Sequence, residues 1–121
     1  MQYINRFGVS VTRNQCLKFQ YNIGDVFKKD GITRVITGFG IYNNQYWTEK
    51  IFEDGCRLYW GDFESVQEVK LIHGNEKQDA IRKYISSLKE NALSFPFIQE
   101  RMSNHIRSFM ECVKAFKEKG D

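Results

Sequence analysis

The chain has 121 residues, of which 41% are hydrophobic and 15% aromatic, with a net charge of +3. That is enough apolar material for one small core and too little charge for a histone-like polyanion binder. Aromatics are plentiful and low-complexity tracts are missing, which argues against a disordered chain.

Charge is unevenly spread. Residues 1–38 carry six Lys/Arg against two Asp, a net of +4. Residues 39–75 come to −3 and residues 76–121 to +2. Three dispersed cysteines, Cys16, Cys56 and Cys112, fit reduced thiols in a cytoplasmic protein better than a disulfide framework. Arg6 and Arg13 interrupt the apolar residues at the N-terminus, so no signal-peptide core is expected. No apolar run approaches 18 residues, and no membrane partner is expected.

In chain order, Phe7, Val9 and Val11 alternate with small or polar residues, as do Leu17, Phe19 and Tyr21. With Arg13-Asn14-Gln15 between them, they predict an N-terminal hairpin. Met1 to Ile4 pair at an edge or fray. Ile23 to Phe27 and Ile32 to Thr37 read as strands around Asp30-Gly31, whose residues tolerate the positive φ of a tight turn. Gly38 and Gly40 around Phe39 predict a bulge or bend. Ile41-Tyr42, Gln45 to Glu53 and Arg57 to Trp60 extend the β pattern. Gly61 to Ser65 reads as a turn, and Val66 to Ile72 as a closing strand.

Helices follow. Asn75 suits an N-cap, and Ile81, Ile85, Leu88 and Ala92 form one stripe. Pro96 suits the first turn of a second helix reaching Lys119, with Gly120 as its stop. Met102, Ile106, Phe109, Val113 and Phe116 recur at heptad spacing on that helix. The expected class is therefore α+β: a small antiparallel β-barrel or strongly curved sheet, followed by a C-terminal helical hairpin. Residues 1–73 form the β-rich unit, and residues 74–121 the hairpin packed on it.

Five short strands over residues 21–72, a Gly-Asp opening and a turn before the last strand resemble an SH3-like small β-barrel. That resemblance implies a binding module for peptides, proteins or nucleic acids, and rests on fold pattern alone.

Candidate functional residues fall into three groups. Seven aromatics crowd residues 42–63, and strand parity exposes Tyr46, Arg57 and Tyr59. With Arg34 they could hold an anionic, nucleotide-like ligand by stacking and charge, at a subunit interface. The ordinary alternative is packing against helices or the N-terminal hairpin. Arg13, Lys18, Lys28 and Lys29 could instead touch phosphates of a nucleic acid. Lysines at hairpin tips also serve simply to block edge aggregation. The Met102–Phe116 stripe could mediate self-association.

Catalysis has little support. No local spacing links Cys16, Cys56 or Cys112 to His73 or His105, and His105 is expected at the edge of the apolar stripe. Asp54, Asp62 and Glu64 lack metal-loop spacing, and no phosphate-binding loop or dinucleotide fingerprint occurs. No cofactor and no metal are expected. The chain reads as a cytoplasmic, homo-oligomeric binding protein with a protein partner. Its size fits a compact adaptor or inhibitor of a phage or other mobile element.

Overall fold

The computed structural model describes residues 2–5, 10–12, 14, 18–40, 42, 44–53 and 61–120, with side chains for all of these except Gln2, Val11 and residues 115–120. Among the described residues, six strands precede two long helices. They are β1 (Gln2–Ile4), β2 (Ser10–Thr12), β3 (Val26–Lys29), β4 (Ile32–Phe39), β5 (Gln45–Ile51) and β6 (Gly61–Ser65). Helix α1 (Gly74–Ser94) and helix α2 (Gln99–Gly120) are joined by a single 3₁₀ turn, Pro96–Ile98. The class is α+β, as the change of hydrophobic period near Gly74 predicts.

Strands β3 to β6 form an antiparallel meander in the order β3-β4-β5-β6, and the sheet is open rather than closed into a barrel. Asp30 and Gly31 make the two-residue β3–β4 turn, with φ of 54° and 75°. The register of β4 against β5 shifts between Ile36 and Gly38, which is the bulge expected near the glycines. Gly38 lies so close to Trp47 that an added Cβ would sit 3.0 Å from the tryptophan Cβ.

Three sequence expectations are corrected. Strand β2 pairs with β1, Tyr3 opposite Val11, and among the described residues 18–21 there is no strand to pair with it. Residues 18–21 are turn and bend. Gly61 to Ser65 is a strand, since its backbone completes the ladder with β5 from Gln45–Ser65 to Glu49–Gly61. Val66 to Ile72 is irregular and closes nothing. It touches the β3 edge through one bridge, Phe27 to Leu71, and the Ile72 N–H donating to Val26 O at 2.8 Å. The proposed strand Arg57 to Trp60 lies outside the described residues.

Helix α1 begins at Gly74 after His73, one residue before the expected cap Asn75, and no side chain caps it. Ala80, Ile81, Tyr84 and Leu88 are buried, with Ile85 and Ala92 at the border. On α2 the buried line is Met102, His105, Phe109 and Cys112, while Ile106 and Val113 are only partly covered. The inward face is thus rotated by about one residue from the heptad stripe read in the sequence. No described helix is long and apolar enough to cross a membrane.

Both faces of the sheet are covered, because alternate residues on each strand are apolar or enclosed. One core joins Val26, Val35 and Ile51 to α1, α2 and Tyr3 of β1. The other face holds Phe27, Ile36 and Tyr46 under Tyr21 and Val66, with Phe19, Val69 and Leu71 packed around them. Burying a large aliphatic or aromatic side chain contributes about 1.5–3 kcal/mol, so both clusters matter to a chain this small.

Candidate interaction surface

Tyr46 is not a surface residue. It lies in the second core, fully buried, where its hydroxyl accepts from the Tyr21 N–H at 3.0 Å and its ring meets Phe19 and Tyr21 edge-on. Burial pushes its phenol above the ordinary value, despite the opposing backbone hydrogen bonds. Parity misplaces it because alternation separates core from solvent only when one face of a sheet is wet.

Arg34 is also buried, at 8% exposure. Its Nη1 donates to Glu64 Oε2 at 2.9 Å across β4 and β6, while Lys29 Nζ reaches Glu64 Oε1 at 3.2 Å. Thr48, on the strand between, donates its hydroxyl to the same carboxylate. Burial alone would raise the Glu64 carboxyl, but the Thr48 and Lys29 hydrogen bonds and the Arg34 and Lys29 charges hold it below the ordinary value. Arg34 Nε has no hydrogen-bond partner among the described residues. The cluster spends two of the basic residues on one internal acid. Of the other proposed cations, Lys18 and Lys28 are exposed. Arg13, Arg57 and Tyr59 lie outside the described residues. Lys28 lines a cleft of about 280 Å³ beside α1, together with Glu53, Glu76, Asp79 and Lys83.

The hub of the molecule is polar and was missed in the sequence. His105 is fully buried, not at the edge of its stripe. Tyr84 donates its hydroxyl proton to Glu49 Oε2 at 2.6 Å, and the Tyr84 hydroxyl oxygen lies 2.9 Å from His105 Nε2. His105 Nδ1 lies 3.2 Å from both the Tyr3 hydroxyl and Ile4 O. Ser108 Oγ accepts from Ile4 N–H at 3.0 Å and donates to Ile4 O at 2.8 Å. These contacts tie β1, β5, α1 and α2 together. They account for the polar residues on otherwise apolar faces, since buried polar groups need partners.

The molecule inverts this pattern at the turn of the helical hairpin. Leu93 is 74% exposed, Phe95 40% and Phe97 83%. The cause is local. The Phe95 N–H closes α1 onto Asn91 O and Ala92 O, Pro96 opens the 3₁₀ turn, and Ile98 rotates inward to 5% exposure. That geometry leaves the flanking rings outside, in edge-to-face contact at 6.1 Å. The signal was present in the sequence: these three residues fall off both helical stripes. A second exposed apolar position is Met110, on the outer side of α2.

Met102 and Phe109, proposed for self-association, are buried within their own chain at 1% and 0%. Ile106 and Val113 sit at the border, and the Phe116 side chain lies outside those described. Among the described residues no group of His, Cys, Asp and Glu is placed to hold a metal ion. Comparison with family models, with curated proteins and with solved structures gives no match.

Proposed function

We propose that the protein is a binding protein of the adaptor or inhibitor kind, which docks a protein partner on the turn between its two helices. The observation that carries this is the grouping of Leu93, Phe95 and Phe97. Three of the six large hydrophobic side chains exposed among the described residues fall within these five positions. Single exposed apolar residues are common, but a cluster at a rigid turn is the kind of patch that marks an interaction site. Exposed phenylalanines are suited to fill a partner's apolar pocket, the usual form of a binding hot spot. The β unit then acts as the scaffold, with Tyr46, Arg34 and Lys29 already engaged within the chain.

The test pairs the unmodified protein with Leu93→Ser/Phe97→Ser, both immobilised and exposed to lysate with and without nuclease treatment. A protein species retained by the first and lost by the second is the expected result. Identical retention on both, or retention that disappears on nuclease treatment, overturns the proposal. Vesicle sedimentation is the control: lipid binding that depends on Leu93 and Phe97 would assign the turn to a membrane surface instead.

A further inference from the structure

The rotation of α2 relative to its heptad stripe leaves a second surface, separate from the turn. Ser103, Ile106, Arg107, Met110 and Glu111 line a shallow, largely apolar groove on the outer side of α2, bordered by Lys89 of α1. Met110 is 54% exposed there. Arg107 lies over the surface, its Nη2 donating to Asn104 Oδ1 at 2.8 Å. Glu111 has no ion-pair partner among the described residues. The order along the helix is a small residue, then an apolar and a basic residue, then an apolar and an acidic residue.

We infer that this groove receives a second copy of the same chain, with the two α2 helices antiparallel about a two-fold axis. A two-fold interface must be complementary to itself, and this pattern is. With the axis level with Ser108 and Phe109, Ile106 lies within one residue of the second copy's Met110. Arg107 lies within one residue of the second copy's Glu111, and the symmetry makes each contact twice. Ser103 leaves room at each end for a close approach of the helices. The run from Ser103 to Lys114 is only about 17 Å of helix. The area buried is therefore at or below the roughly 1,200 Å² lower end of stable interfaces, and the dimer is a weak one. Its dissociation constant should be on the order of 10 µM. This assignment is independent of the partner proposed for the turn, which uses other residues.

Sedimentation velocity from about 1 to 500 µM, at low and high salt, reads the equilibrium directly. The unmodified chain should pass from monomer to dimer across that range, with a tighter dimer at low salt. Met110→Glu should remain monomeric throughout. Arg107→Glu and Glu111→Arg each set like charges across the axis and should raise the dissociation constant roughly tenfold. The combined Arg107→Glu/Glu111→Arg swap restores opposite charges and should return to within about threefold of the unmodified chain. Far-ultraviolet circular dichroism checks that each variant keeps its helix. Phe97→Ser should dimerise normally. A monomer at all concentrations, a combined swap no better than either single change, or a dimer lost with Phe97 overturns the inference.

Discussion

The far face of the sheet and the turn of the helical hairpin break the usual inside–outside pattern in opposite directions. On the sheet, Arg34, Thr48 and Glu64 are drawn into a nearly buried polar cluster. At the turn, two phenylalanines and a leucine stand in solvent. Glu64 is held by Arg34, Thr48 and Lys29, so the burial of this carboxylate has a structural explanation. The exposed rings satisfy nothing within the chain. The comparison teaches that a conspicuous residue type is a poor guide to a site unless its partners are counted.

Four substitutions bear on that comparison, in falling order of expected effect on stability. Phe109→Ala removes a fully buried ring from the core between α1 and α2, and should cost about 3–5 kcal/mol. Denaturant titration reads this, and a loss under 1 kcal/mol would mean that the hairpin is not held to the sheet as described.

Glu64→Gln leaves Arg34 buried without its counter-ion, at a cost of about 2–3 kcal/mol. Because the Glu64 carboxyl is held below its ordinary value of 4.5, its contribution is fully present above that pH. It is lost as pH falls through the lowered value. The stability gap between Glu64→Gln and the unmodified chain should therefore close progressively below pH 4.5. A gap unchanged down to the acid limit of folding would show that the carboxylate charge is not what stabilises the cluster.

Tyr46→Phe removes the hydroxyl that accepts from the Tyr21 N–H, which is then left without that partner, and should cost about 1–2 kcal/mol. If Tyr46 instead served a ligand, stability would hardly move. Smallest of all, Leu93→Ser/Phe97→Ser should change stability by no more than about 0.5 kcal/mol per site while removing the partner. A large thermal shift for this pair would mean that the rings are covered in the folded protein, and would dissolve the contrast between the two regions.

Much of the fold could be read directly from the residues. Asp30-Gly31 specified its hairpin because few residues accept two successive positive φ angles, and the bulge was legible in Gly38 and Gly40 around Phe39. The helices were legible because α1 shows a single apolar stripe. Other features rest on long-range partners that no local pattern encodes. Gly61 to Ser65 has turn-forming composition, yet its ladder with β5 overrides local preference. Tyr46 and Thr48 look like solvent positions until the second face is known to be covered. His105 rotates α2 inward because Tyr84 and Tyr3, distant in sequence, supply its hydrogen bonds. At the proposed site, Leu93, Phe95 and Phe97 were visible as apolar residues outside any stripe.

The attachment of β1 to α2 has a further consequence, for the order in which the chain acquires its structure. Tyr3 and Ile4 are held by His105 and Ser108, more than a hundred residues away. Closing so long a loop is slow, and it cannot begin on the ribosome until α2 has emerged. Strands β3 to β5, linked by short turns, can form first. Strand β1 meanwhile stays unpaired on its α2 side until that helix is available. Pulse-labelling hydrogen exchange during refolding should accordingly protect Val35 and Ile36 before Ile4, and simultaneous protection would show that the chain folds in one step.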